Sequence, residues 1–196
     1  NFTISVTDGE LTDSQVLTVT INAVNDTPVA GTGITGETSE GSGISIQLSA
    51  SDVDGDNLTY TLLSDATNGS VTIEGQLATY TPVDYYYGSD EFTFQVSDGV
   101  LTDAAVVTLQ INAVNDAPVL ATLSDISFDE DNTGGVTISA SDIDEDDLIY
   151  SVSTGTDITA TLDGTDLTFS AAADYNGSEN FTISVTDGEL TDSQVL

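Results

Sequence analysis

Apolar and polar residues alternate along most of this chain in short runs, as in Phe92-Thr93-Phe94-Gln95-Val96 and Val107-Thr108-Leu109-Gln110-Ile111. Period-2 alternation over a few residues marks a strand with one buried face. In residues 27–116 it predicts strands near 44–49, 57–62, 70–74, 77–81, 91–97 and 104–112, with a weaker first strand near 34–37. Turn signals separate them: Asp54-Gly55, Asn68-Gly69, Glu74-Gly75, Tyr87-Gly88 and Asp98-Gly99. Residues 117–196 follow the same plan, with strands near 136–140, 148–152, 166–170 and 181–186 and a last strand still in progress at Leu196. No stretch carries a helical period. The expectation is an all-β chain of tandem sandwiches of about seven strands in about 90 residues each, immunoglobulin-like in plan and joined end to end by short linkers. The alternating aromatics Tyr60, Tyr150, Phe92, Phe94, Phe169 and Phe181 are expected in the cores.

The alternation is itself repeated. Residues 1–30 align without gaps on 91–120, and residues 1–17 recur unchanged as 180–196. Such self-similarity is the signature of an array. Two nearly identical stretches close successive units: Ile21-Asn22-Ala23-Val24-Asn25-Asp26-Thr27-Pro28 and Ile111-Asn112-Ala113-Val114-Asn115-Asp116-Ala117-Pro118. Proline fixes φ, donates nothing to a ladder and pushes its predecessor to extended geometry. Each stretch therefore ends a strand and continues as a linker carrying an acid. The domain reading is 1–26, the closing hairpin of a preceding repeat; 27–116, a complete repeat; and 117–196, a repeat cut short in its last strand. The chain reads as a window on a longer array.

Charge sharpens the picture. The 196 residues hold 34 Asp plus Glu and no Lys, Arg or His, a formal net charge of −34. No side-chain ion pair is possible, so the carboxylates are solvated, repel one another or bind metal ions, and repulsion of this size works against a compact state. With 38% apolar residues in clean alternation, disorder is not the reading. Nothing can neutralise phosphates, which excludes nucleic acid as a partner. No apolar run is long enough for a helical membrane span. Without His, Cys or Lys no nucleophilic triad exists, and a glycosidase-like carboxylate pair is poorly matched to a repeated unit. The chain is read as a non-enzyme.

Two acidic loops carry the candidate chemistry: Asp52-Val53-Asp54-Gly55-Asp56 and Asp142-Ile143-Asp144-Glu145-Asp146-Asp147, each preceded by Ser-Ala-Ser. Carboxylates at i, i+2 and i+4 on a turn gather hard oxygens around one point, as Ca2+ requires, and the absence of His and Cys speaks against a soft metal. An EF-hand would need Gly and Glu where Asn57 and Leu63 stand, so that loop is excluded. Alternating strand direction should bring Asp52, Asp54 and Asp98 beside Asn25 and Asp26, and Asp142, Asp144 and Asp187 beside Asn115 and Asp116. Turns at the opposite end of the 27–116 repeat add Glu40 and Asp84 to the second group. The bland alternatives are solvated acidic turns for the loops, turn-capping for Asp26 and Asp116, and hairpin-turn chemistry for Asp8, Asp98 and Asp187. Tyr85-Tyr86-Tyr87 and Asp174-Tyr175-Asn176-Gly177 read as a tyrosine corner or as a stacking surface for carbohydrate.

Glu40 or Glu130, an Asp-x-Asp loop twelve residues on, a Val-Ser-Asp-Gly turn and an Asn-Asp-Ala-Pro linker together resemble the cadherin fold. More closely, the chain is similar to the cadherin-like repeats of giant secreted bacterial adhesins. The resemblance implies Ca2+ bound where one repeat hands over to the next, with Glu40, Asp84, Asn115, Asp116, Asp142, Asp144 and Asp187 as its ligands. It departs from the family in lacking a second acid two residues beyond the fifth-to-sixth-turn Asp, where Tyr86 and Asn176 stand, and in lacking an earlier linker Asp. Asp56, Asp146 and Asp147 have no assigned place. The resemblance implies a secreted, extracellular bacterial protein whose calcium-stiffened repeats form a stalk, extender or filament of an adhesin. Its partners would be neighbouring repeats of the same chain and, in a fibre, like chains. The competing reading is a ligand-binding adhesion module, taking a glycan or a like chain.

Overall fold

A computed structural model describes residues 1–196 and contains strands, turns and no helix. The chain divides into two compact units. The first comprises Asn1–Thr38, Ser42–Val83 and Ser89–Gln110; the second comprises Ser39–Gly41, Asp84–Gly88 and Ile111–Leu196.

The first unit opens with an antiparallel hairpin, β1 (Phe2–Thr7) and β2 (Thr12–Leu17), paired from Phe2↔Leu17 to Thr7↔Thr12. The strands that follow are β3 (Val29–Ala30), β4 (Ile34–Ser39), β5 (Ile44–Gln47), β6 (Ala50–Ser51), β7 (Thr59–Ser64), β8 (Gly69–Glu74), β9 (Leu77–Pro82), β10 (Gly88–Ser97) and β11 (Thr102–Asn112). They form a four-stranded sheet of order β4-β11-β10-β7, a three-stranded sheet β5-β9-β8 and a small pair β3-β6. Ile46, Tyr80, Phe92, Phe94, Val96 and Val107 are buried, each from the apolar half of an alternating strand, and Leu48, between β5 and β6, is buried too.

The alternation predicts one first strand, and the fold makes two. β3 pairs with β6, while β4 joins the sheet of β11. The switch occurs at Gly31 and Gly33. A side chain on Gly31 would collide with Ser49, and Gly33 has φ 71°, a conformation that favours glycine. The predicted 44–49 strand ends at Gln47 as β5, with Leu48 N–H bonded to the Gln76 carbonyl, and a separate β6 follows in which Ala50 pairs with Ala30.

The second unit holds β12 (Val119–Leu120), β13 (Thr133–Thr137), β14 (Ala140–Ser141), β15 (Ile149–Val152), β16 (Ile158–Asp163), β17 (Asp166–Ala171), β18 (Thr182–Thr186) and β19 (Thr191–Val195). Its sheets are β13-β17-β16, β15-β18-β19 and the pair β12-β14. Leu120, Ile138, Leu167, Phe169, Phe181, Ile183 and Val185 make its core, with Tyr150 half-buried against it. Phe169 and Phe181 meet edge to face at 5.0 Å between ring centroids. β16 was absent from the sequence-based expectation, although Ile158, Ala160 and Leu162 do alternate.

The duplicated hairpin is solved differently in its two copies. Phe181, Ile183 and Val185 are 3%, 0% and 0% exposed, whereas Phe2, Ile4 and Val6, in the same sequence, are 64%, 62% and 69% exposed. The apolar face of 1–17 is open.

Candidate metal centre

Each acidic loop is shaped by its own first carboxylate. Asp52 follows β6, and its Oδ1 accepts the backbone N–H groups of Asp54, Gly55 and Asp56 at 2.9, 3.0 and 3.3 Å. Asp142 follows β14, and its Oδ1 accepts those of Asp144 and Asp146 at 2.9 and 3.5 Å. An Asp side chain that captures amides two to four residues on folds a tight Asx turn. The turn demands positive φ at its tip: Gly55 supplies it at 77°, Glu145 at 63°.

The other oxygens of these two carboxylates are the notable ones. Asp52 Oδ2 and Asp142 Oδ2 are the buried side-chain polar atoms of the fold that find no hydrogen-bond partner. A buried carboxylate oxygen without a partner costs the desolvation of a charged group, which a bound cation would offset. The turn brings further oxygens to the same place. One carboxylate oxygen each of Asp52, Asp54 and Asp56 lies within 4.8 Å of the others, and Asp142, Asp144 and Asp146 repeat the arrangement. Hard, anionic and three to a cluster, these donor sets fit a divalent cation such as Ca2+. Asp56 and Asp146, which the sequence left without a role, are thus members of the clusters; the i, i+2, i+4 spacing was the available signal. Asp147 is exposed and outside its cluster.

Linker residues converge on the loops. In the first unit Asp26 N–H donates to Asp54 Oδ2 at 2.8 Å, and Asn25 Nδ2 donates to Asp98 Oδ2 at 2.8 Å. In the second, Asp116 N–H donates to Asp144 Oδ2 at 2.8 Å, and Asn115 Nδ2 donates to Asp187 Oδ2 at 2.9 Å. Asp98 and Asp187 also cap their hairpin turns. Asp98 Oδ1 accepts Leu101 and Val100 N–H; Asp187 Oδ1 accepts Leu190 and Glu189 N–H. Those bonds, from Leu101 and Leu190 first, hold both carboxyls below their ordinary pKa. Asp146 moves the other way. Desolvation, then the charges of Asp142, Asp144, Asp187 and Glu189, push its pKa up. Five carboxylates sense one another there, with no cationic side chain to relieve them.

Glu40 and Asp84 belong to the second unit. Glu40, just past β4, is 9% exposed; its Oε1 accepts Val114 N–H at 2.6 Å, and its own N–H donates to Asn112 O at 3.0 Å. Glu40, Gly41, Asp84, Tyr85, Val114 and Asp116 line a cavity of about 210 Å³. The structure thus groups Glu40 and Asp84 with Asp116, and Asp116 with Asp144.

The fifth-to-sixth turns differ from the sequence-based comparison, which set Tyr86 and Asn176 at equivalent places. Val83 N–H bonds to Asn68 O and Ala172 N–H to Asp157 O, and the positive-φ residues that follow are Tyr85 (61°) and Asp174 (58°). Ala173 therefore stands where Asp84 does, and the acid of the second turn sits one residue later. The Tyr86 and Tyr175 hydroxyls lie against Gly88 and Gly177, while Tyr85 and Tyr87 are 58% and 57% exposed.

Four other acids pin strands and were not singled out from the sequence. Asp90, 7% exposed, accepts Thr67 and Asn68 N–H and the Tyr80 hydroxyl; Glu179 accepts Thr156, Asp157 and Ile158 N–H. Asp103 and its counterpart Asp192 accept Ala30 and Leu120 N–H, each at 2.8 Å.

The bacterial Ig domain family matches this chain twice, over residues 25–110 and 115–196. Chitinase A of Pseudoalteromonas piscicida is 29% identical over 130 residues, 65% of this chain; that stretch spans 16% of the chitinase. In fold the chain is similar to human protocadherin-24 EC1-2 (TM-score 0.53, 18% identity, 88% of this chain and 94% of that one). It is also similar to protocadherin gamma B7 extracellular cadherin domains 1-4 (TM-score 0.52, 17% identity, 87% of this chain and 48% of that one). At these identities the likeness is one of fold.

Proposed function

This chain belongs to the bacterial Ig domain family, and from that premise we propose that its tandem, cadherin-like domains are calcium-stiffened structural repeats of a large extracellular surface protein. The observation that carries the reading is the pair of buried, partnerless oxygens, Asp52 Oδ2 and Asp142 Oδ2, each inside a cluster of three carboxylates. When bound, the ion supplies the positive charge the chain lacks. Asp52, Asp54 and Asp56 would hold it in one repeat, Asp142, Asp144 and Asp146 in the next. Asp26 and Asp116, tied by their backbones to the loops, and Glu40, Asp84, Asp98 and Asp187 extend the ligand sets, with Asn25 and Asn115 orienting Asp98 and Asp187.

The mechanism is electrostatic. Without the ion each cluster is an array of repelling charges beside a linker. With it, the repulsion becomes attraction to one centre and the linker loses its freedom to swing. Extracellular modules bind Ca2+ with Kd on the order of 10⁻⁴–10⁻³ M, so the repeat stiffens outside the cell and stays loose in a calcium-poor compartment. The work is non-enzymatic: reach in an adhesin stalk or filament, with neighbouring repeats as partners. The hairpin 1–26 is the closing hairpin of a further repeat, whose core would cover Phe2, Ile4 and Val6 as the second unit covers Phe181, Ile183 and Val185.

Calorimetric titration with Ca2+ tests this, using the chain and its Asp142→Asn variant. Binding in the range above, lost from one domain's share in the variant, supports the reading. A flat titration of the unaltered chain would falsify it. A second reading, a glycan-binding adhesion module, has the exposed Tyr85 and Tyr87 in its favour; saturable glycan binding abolished by Tyr85→Ala would establish it.

A further inference from the structure

The dipeptide Asn-Gly occurs twice, and the fold treats its two copies differently. Asn68-Gly69 is pinned. Asn68 N–H donates to Asp90 Oδ2 at 2.9 Å, and its carbonyl accepts Val83 N–H at 2.8 Å and the Tyr80 hydroxyl at 3.3 Å. Gly69 is already in β8, in register with Pro82. Asn176-Gly177 lies in an irregular, exposed loop, just past the turn that Tyr175 N–H closes on Ala172 O at 3.1 Å. No hydrogen bond holds either Asn176 or the Gly177 amide.

Glycine at 177 lets the Tyr175 ring and hydroxyl sit where they do, since a Cβ there would strike them and displace the ring. That glycine has a chemical side effect. A glycine nitrogen carries no neighbouring side chain to shield it, so it can reach the side-chain carbonyl of the preceding asparagine. In the 27–116 repeat the corresponding pair is Tyr87-Gly88, which has no such reaction open to it.

We propose that Asn176 is a site of spontaneous deamidation in the folded protein. The Gly177 backbone nitrogen, shedding its proton, attacks Asn176 Cγ; the C–N bond of the side-chain amide breaks, ammonia leaves and a succinimide ring closes. Water then opens one of its two carbonyls, leaving aspartate or isoaspartate at 176. Overall one water is consumed and one ammonia released, with no oxidant or reductant. The product adds a carboxylate to a cavity of about 540 Å³ that Asp129, Glu130 and Glu179 also line. In a chain with no Lys, Arg or His the new charge meets no cationic side chain, and repulsion accumulates with age at one known place. Isoaspartate would in addition lengthen the backbone beside Tyr175. The inference stands independently of calcium.

The test is incubation of the full chain at neutral and mildly alkaline pH, followed by digestion at acidic residues and mass spectrometry, with ammonia assayed in parallel. The peptide holding Asn176 is expected to gain the mass of an amide-to-carboxyl exchange, faster at the higher pH. The Asn68 peptide should convert at least about tenfold more slowly, because its site opens only through local unfolding. In denaturant the two rates should converge, and Asn176→Ala should remove the ammonia released by the native chain. Aspartate at 176 creates a new cleavage point for an Asp-directed protease and isoaspartate does not, which separates the products. An Asn176 peptide that stays unchanged while the denatured chain converts, or an Asn68 peptide that keeps pace with it in the native chain, overturns the proposal.

Discussion

Asp144 Oδ2 accepts the backbone N–H of Asp116 at 2.8 Å, and Asp54 makes the same bond with Asp26 at 2.8 Å. The linker acid is thus tied to the loop of its repeat through its main chain, which leaves its own carboxylate available. Asp144→Ala removes both a candidate ligand and that tether. Calcium titration of the variant should lose the second domain's share and retain the first's, where Asp54 and Asp26 are untouched.

Asn115 contributes through Asp187. Its amide donates to Asp187 Oδ2, while Leu190 and Glu189 hold Oδ1. Partners that orient ligands without being the main donors typically matter by 10–100-fold in metal affinity, roughly. Asn115→Ala should weaken calcium binding by about that factor while leaving the metal-free melting temperature nearly unchanged.

Asp146 separates the charge of the cluster from its metal. Its raised pKa means that the folded state disfavours its ionised form, so its contribution to stability falls as pH rises through that pKa. Asp146→Asn should therefore raise the melting temperature in EDTA and reduce the further rise that Ca2+ produces. Opposite signs in the two conditions distinguish a ligand from a merely crowded acid.

Asp98 and Asp187 set the acid limit. Their carboxyls sit below the ordinary value, so their stabilisation is complete above an unfolded pKa of about 3.9 and is lost as pH falls through the lower folded value. Acid titration of the metal-free chain, followed by circular dichroism, should show an end point shifted upward in Asp187→Asn. Added NaCl should stabilise the metal-free chain near neutrality by screening its like charges.

Much of this was legible in the sequence and some was not, for definable reasons. Period-2 alternation marks which face of a strand is buried, so Phe92, Phe94, Phe169 and Phe181 fall in the cores as expected. Alternation does not record which sheet a strand joins, so the division of the first strand at Gly31 and Gly33 stayed hidden. Nor does it distinguish a carboxylate that binds backbone amides from one that faces water. In a chain without cationic side chains, amides, hydroxyls and ions are the charge-stabilising partners left; Glu179 found backbone amides, and Asp90 found amides and the Tyr80 hydroxyl. The Asp-x-Asp loops were visible, and the convergence of Asp56 and Asp146 follows from an Asx turn that spacing alone does not specify. The equivalence of Tyr86 and Asn176 went astray because the turns were matched by residue type, whereas backbone conformation matches Tyr85 with Asp174.

Asp90 supplies a control unconnected with metal. It is buried and receives Thr67, Asn68 and Tyr80. Asp90→Ala leaves the Thr67 and Asn68 amides without that acceptor and should cost at least about 2 kcal/mol. The loss of melting temperature should be equal in EDTA and in Ca2+.

The most direct measurement is thermal unfolding of the full chain in EDTA and in millimolar Ca2+, joined to small-angle scattering in the same two buffers. At about ten times Kd one site adds about 1.4 kcal/mol, or roughly 6–11 °C for a domain of this size. The account predicts a rise of that order with a longer, stiffer particle, both abolished when Asp54→Ala and Asp144→Ala are combined. An unchanged melting temperature and an unchanged scattering profile would contradict it, and would leave the acidic loops as solvated turns.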